Sequence, residues 1–349
     1  MVLALKKVLF LQSEAYFCRL LGDSFYEETS FECVFSLPSI VSNVNDYIAG
    51  FDAVATCLDH SAESAFLVNV AKKVGVASIY VSDGTYDIGN SIYNNHLRKH
   101  KNFQLFGVAY DHVLLPDLIA GKLFSSYGAT TSCYLPVHAT CEASYSESGY
   151  LLISTANSSY FSRLEFEKLC ELVKTTTEFC EKEKIEYRFR VYDPKIVDAL
   201  AIPDELNLID CGLSQALNGA RALFTTPSTL VYSAASCNIP VGVYNYRNVF
   251  VTQPYSFLLS DEAAIFQALQ VSHEENMYRL RLQSSFVEFE SPIRILDAIV
   301  CCVDEKKGLA AAHRRGGVFI PFESFSRAIY RKLLVVSFMK KFFKKIKGL

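Results

Sequence analysis

The chain lacks any run of 18 or more apolar residues, so no segment reads as a membrane-spanning helix. It also lacks a basic excess: the formal net charge is −3 at pH 7, which argues against a general nucleic-acid binder. The 11 cysteines include no Cys-x-x-Cys pair with zinc-site spacing. An odd number without a secretion signal fits reduced thiols in a cytoplasm. Residues Met1 to Gln12 hold a short apolar run around Lys6 and Lys7 but no small-residue cleavage site, and read as a first core strand. Asp-x-Asp and Gly-x-Gly are both missing, as are a Walker A motif, a Gly-x-Ser-x-Gly elbow and His-Glu-x-x-His. His96 and His100 have helical spacing but no third ligand, and fit a solvated face beside Arg98, Lys99 and Lys101. Metal-independent chemistry without a cofactor is the expectation.

What remains is a chain of 349 residues, half of them hydrophobic, long enough for two packed domains. In its first part, apolar strand-like runs (Val8–Gln12, Cys33–Ser36, Ala53–Leu58, Ser78–Ser82 and Val108–Leu115) alternate with helical stretches such as Ser61–Val74. Such βαβ repetition with near-continuous apolar strands implies a parallel sheet covered on both faces. Residues 139–149, rich in Ser, Glu and Ala, read as a linker. A second βαβ series follows, with strands expected at Tyr150–Thr155, Glu186–Tyr192, Asn207–Cys211, Ala222–Thr226 and Pro240–Tyr244, and a long helix over Glu165–Lys184. The expected division is 1–138, an acceptor domain; 139–149, a linker; 150–304, a donor domain; and 305–349, a helical tail.

Ligands of parallel sheets bind beyond the carboxyl ends of the strands. In Ala222-Leu223-Phe224-Thr225-Thr226-Pro227-Ser228-Thr229, a strand runs into hydroxyl residues that open a helix. Free N–H groups and hydroxyls there suit a phosphate, with Pro227 expected in the first helical turn. An ordinary capped helix is the plainer alternative. Ser154 and Thr155 end the first strand of the same half, in a cluster that suits either donor contacts or an N-cap. Gln253-Pro254-Tyr255 is a further stretch expected near the donor. In the first half, Ser78-Ile79-Tyr80-Val81-Ser82-Asp83-Gly84-Thr85-Tyr86 delivers Asp83 to a strand end before a glycine turn. A carboxylate so placed can take the proton of an acceptor hydroxyl. A simple Asp-Gly turn is the alternative.

The tandem outline and the Thr-Pro-Ser-Thr turn resemble GT-B glycosyltransferases, whose site lies in a cleft between two Rossmann-like domains. Ser82-Asp83-Gly84-Thr85 resembles the acidic-acidic-glycine motif of bacterial sialyltransferases and of related capsule transferases that use CMP-activated ulosonic acids. That resemblance implies Asp83 as general base, with Gly84, Thr85 and Tyr86 on the acceptor side. Ser82 stands where those families have a second acid. Their His-Pro motif corresponds to Arg190-Val191-Tyr192-Asp193-Pro194-Lys195, where Asp193 replaces the histidine and Arg190 or Lys195 would meet the phosphate. Ser228 and Thr229 match the third motif, and Thr226 and Pro227 lie in the same turn.

From Phe322 onward the chain is basic and amphipathic, with Arg331, Lys332, Lys340, Lys341, Lys344 and Lys345 among apolar residues. Such a tail suits an anionic membrane surface, at about 1 kcal/mol per basic residue. Docking on the first domain is the alternative. The resulting expectation is a cytoplasmic, peripheral-membrane glycosyltransferase of surface-polysaccharide synthesis. It would carry a sugar from a nucleotide donor, a CMP-ulosonic acid or a UDP- or GDP-sugar, to a glycan or lipid-linked glycan, with inversion. A polyol-phosphate transferase of the teichoic-acid type and a non-catalytic glycan-binding relative are the alternatives.

Overall fold

The computed structural model describes residues 5–35, 43–58, 61–87, 110–126, 128–247 and 249–303. His96, His100 and every tail residue expected at the membrane lie outside these. Two parallel sheets carry the fold. The first has the order β2-β1-β3-β4-β5-β6, formed by Lys7–Phe10 (β1), Glu32–Phe35 (β2), Ala53–Thr56 (β3), Ala77–Val81 (β4), His112–Leu115 (β5) and Thr130–Cys133 (β6). The second has the order β11-β10-β9-β7-β8, formed by Leu151–Ser154 (β7), Tyr187–Arg190 (β8), Ala222–Thr225 (β9), Val241–Tyr244 (β10) and Phe257–Leu259 (β11). All pairings are parallel, as unbroken burial along β3, β5, β7, β9 and β10 requires.

Strand order reverses between β1 and β3 in the first sheet, and between β7 and β9 in the second. These switch points leave crevices at the carboxyl ends, because successive helices depart to opposite faces there. Long helices fill the faces. Arg163–Glu183 starts with a capping box in which Ser162 and Glu165 satisfy each other's end of the turn, and it buries Leu169, Leu172 and Val173.

Three expectations need correction. Asn207–Cys211 is not a strand: it makes a single bridge to Phe189, while the Asn207 amide both accepts from and donates to the Val191 backbone at 2.9 Å. An apolar-looking stretch with a self-sufficient amide needs no ladder. Strands β6 and β11 were not foreseen; Thr-Thr-Ser-Cys has no apolar run, and Phe257–Leu259 is three residues long.

The domain division also moves. Helix Pro292–Cys301, expected in the donor domain, buries Ile295, Leu296, Ile299 and Val300 in the core of the first sheet. Lys6 Nζ binds the Val300 and Cys301 carbonyls at 2.8 and 3.0 Å, and Asp297 accepts from Ser30 N and Oγ at 2.9 and 3.0 Å. Among the described residues the chain therefore crosses between domains twice, at residues 139–149 and near Glu290, whose N–H binds the Cys133 carbonyl. The first crossing is not a loose spacer. Ser144 bonds Asn218, Ser146 N bonds the Ala220 carbonyl, and a Cβ at Gly149 would lie 1.7 Å from the Gly219 oxygen.

Candidate functional site

The carboxyl ends of the two sheets face each other. Strand β4 delivers Ser82, Asp83 and Gly84. The buried Ser82 hydroxyl closes the turn, donating to the Gly84 carbonyl and accepting from Gly84 N at 3.3 Å. A hydroxyl can do both, whereas an ionised acid cannot donate, so this turn depends on the Ser82 hydroxyl. Asp83 stays exposed and accepts from the Tyr16 hydroxyl at 3.2 Å. Burial, and then the Asp83 charge, pushes the Tyr16 phenol well above its ordinary range, so Tyr16 remains a donor at neutral pH. Gln12 and Cys57, at the ends of β1 and β3, are joined through Gln12 Oε1 at the adjacent switch point.

On the opposite side, β7 and β9 end in Thr155, Thr225, Thr226 and Ser228. Thr226 is fully buried and accepts from Ala156 N at 2.7 Å; Ser154 donates to the Arg190 carbonyl at 2.9 Å. Both act as scaffold. Thr155 Oγ1, Thr225 Oγ1 and Ser228 Oγ are different: each is buried with no hydrogen-bond partner. Buried hydroxyls normally find partners, so three orphans at one switch point mark a place for a polar ligand.

The two sides touch. Thr229 Oγ1 accepts from Thr85 N at 3.0 Å, and a Cβ on Gly84 would come within 2.1 Å of that oxygen. Gln253 Nε2 donates to Thr85 Oγ1 at 2.9 Å, which ties the Gln253 stretch to the turn that follows Asp83. Thr252 donates to the buried Asp117 carboxylate, which also accepts from Ile119 N and Ala120 N at 2.9 and 3.0 Å. Arg247, its side chain 5% exposed, spans the domains: it pairs with Asp87 at 2.9 Å and Glu165 at 2.7 Å and packs on Tyr246 and Phe161. The domains are clasped shut along this line.

Several expected site residues have other work. Tyr86 is buried edge-on against Phe124 in the core of the first domain, so it does not face an acceptor. Pro227 precedes the helix, which opens only at Leu230 after Thr229, so Pro227 is not in its first turn. Asp193 caps helix Pro194–Leu200, accepting from Lys195 N at 2.9 Å and Ser158 N at 2.6 Å. Burial works to raise its pKa, but the bonds from Ser158, Lys195 and Ile196 outweigh it and hold the carboxyl below its usual range. Arg190 Nη1 binds the Leu208 and Cys211 carbonyls and stacks near Tyr192, pinning the loop that was expected to be a strand. Tyr192 and Lys195 are exposed at the same edge.

Tyr16, Thr225, Asp117 and Arg247 were not singled out from the sequence. Tyr16 lies 67 positions from Asp83 and Asp117 135 from Thr252, distances at which sequence spacing says nothing.

No protein-family model matches the sequence, and a search of curated proteins finds no match. Solved structures do match. The S. aureus MnaA–UDP structure aligns over 90% of this chain and all of its own, at 15% identity and a TM-score of 0.54. A Listeria monocytogenes protein described as a UDP-N-acetylglucosamine 2-epimerase covers 90% and 99%, at 15% identity and a TM-score of 0.56. The fold is GT-B. Its two Rossmann-like domains, the facing carboxyl ends and the second crossing of the chain near Glu290 are thereby accounted for as one architecture. Among the described residues, no helix is long and apolar enough to cross a membrane.

Proposed function

We propose that this protein is a nucleotide-sugar-dependent glycosyltransferase, with Asp83 as the base that deprotonates the acceptor hydroxyl. The observation that carries this reading is the orphaned trio of Thr155, Thr225 and Ser228 hydroxyls at the β7/β9 switch point, beside Thr229, which bonds the turn after Asp83. Hydroxyl donors there would meet the nucleotide phosphate, whose charge grows as the sugar departs. Tyr16 holds the Asp83 carboxylate in place for the proton. Because Thr85 and Thr229 bond each other directly, substrates enter when the domains part and the donor displaces that contact. The UDP held by the S. aureus MnaA structure supports a nucleotide as ligand of this fold.

Calorimetry with CMP, CDP, UDP and GDP tests the donor. CMP binding supports a CMP-ulosonic acid, UDP or GDP a hexosyl donor, and CDP the polyol-phosphate reading. Binding of none supports the non-catalytic reading. For the base, Asp83→Asn should keep nucleotide affinity while turnover falls by about 100-fold or more. Near-normal turnover would remove Asp83 from the mechanism. Conversion of a UDP-sugar into its epimer without any acceptor would replace transfer by epimerisation.

The surface-polysaccharide setting and a lipid-linked acceptor belong to the same proposal and rest on the basic amphipathic tail. Deleting the chain after Phe325 should abolish co-sedimentation with anionic liposomes and leave the melting temperature unchanged. Continued co-sedimentation would rule out the tail as anchor.

A further inference from the structure

The first interdomain crossing runs along the helix Leu230–Ser236, whose leading residue Thr229 touches the Asp83 turn. Ser233 Oγ donates to the Ala139 carbonyl, Cys141 Sγ to the Ser233 carbonyl, and Cys237 Sγ to the Cys141 carbonyl. The Cys141 and Cys237 sulfurs stand 3.2 Å apart, although the residues are 96 positions apart. Both are free thiols and half-buried.

We infer that Cys141 and Cys237 form a redox-closable pair, oxidised to a disulfide by a low-molecular-weight disulfide such as oxidised glutathione, which fastens the interdomain hinge to the helix bearing Thr229. One thiolate attacks the glutathione disulfide, forming a mixed disulfide and releasing one glutathione thiol. The second protein thiolate then displaces the other glutathione. The protein pair loses two electrons and two protons, and one glutathione disulfide becomes two thiols. Burial, and then the neighbouring Cys237 sulfur, pushes the Cys141 thiol up to about 12, so exchange speeds up as pH rises.

The mechanical consequence follows from where the pair sits. The crossing and the helix end are held now by hydrogen bonds that hinge motion can break. A covalent link makes that junction permanent, and opening at the Thr85–Thr229 contact becomes harder. Its effect on turnover rests on the cleft being the working site; formation of the bond and the slowed opening do not.

The full chain treated with oxidised glutathione at mildly alkaline pH, then acid-quenched and digested without reductant, should yield a cross-linked peptide pairing Cys141 with Cys237. Cys141→Ser and Cys237→Ser should each lose it. Recovery of the two cysteines only as separate glutathione adducts, or paired with other cysteines, overturns the inference. The hinge effect is read without any ligand, from hydrogen exchange at the Thr85 amide. Oxidation should slow that exchange severalfold, and dithiothreitol should restore it. Formation of the bond with unchanged Thr85 exchange overturns the hinge role. Failure of every nucleotide to bind, with Thr85 slowed, would fall on the glycosyltransferase reading alone.

Discussion

Asp117 shows how one residue couples burial to chemistry. Its carboxylate is fully buried at the domain boundary, bonded to two backbone amides and the Thr252 hydroxyl. Burial raises its pKa, more than those bonds lower it. A raised folded-state pKa means the native protein binds the proton more tightly than the unfolded chain. Asp117 therefore favours folding at low pH, and that contribution is lost as pH rises through its folded pKa, above the ordinary carboxylate range. Asp117→Asn should change stability at neutral pH by less than about 1 kcal/mol, since its amide can donate to Thr252, and should flatten that pH dependence. Asp117→Ala should cost about 2–3 kcal/mol by stranding the amides and hydroxyl. Urea titrations across pH decide this; equal behaviour of Asn and Ala would show that the carboxylate's bonds are immaterial. Asp83 is the counter-case: a carboxyl side chain left exposed, with the Tyr16 hydroxyl donating to it.

At the scale of elements, helix Pro292–Cys301 gives the sharpest test of domain organisation. Its apolar residues Ile295, Leu296, Ile299 and Val300 recur at helical spacing, which makes the helix legible in the sequence. Nothing in that spacing says which sheet it covers. Packing against Phe10, Phe17 and Phe25 assigns it to the first domain. Leu296→Ala should cost about 2–5 kcal/mol, with faster amide exchange in β1 and β3 and unchanged exchange in β7 and β9. Loss of protection in β7 instead would return the helix to the second domain. The strands were legible where both faces are buried, as in Ala53–Thr56 and Leu151–Ser154, because unbroken apolar runs follow directly from that environment. Edge strand β6 was not, since a half-exposed strand of Thr and Ser resembles a loop.

For the whole molecule, the clasp between domains matters most. Arg247 joins Asp87 of the first domain to Glu165 of the second, with its guanidinium packed between Tyr246 and Phe161. Removing one member of a buried ion cluster leaves the others without their desolvated partner. Arg247→Ala should lower stability by about 3 kcal/mol in urea titration and accelerate exchange at the Thr85 amide. A loss below about 1 kcal/mol, with Thr85 unchanged, would mean that the remaining contacts alone hold the cleft shut.

The sequence by itself determined the two parallel α/β units, the arrival of Asp83 at a strand end and the hydroxyl-rich turn after β9. Each depends on local periodicity and turn chemistry within a short stretch of chain. Tertiary structure alone decided that Thr229 meets Thr85, that Pro292–Cys301 returns to the first domain and that Cys141 lies against Cys237. Those facts join residues tens to hundreds of positions apart. Strand order and chain crossing set such pairings, and no local pattern encodes them.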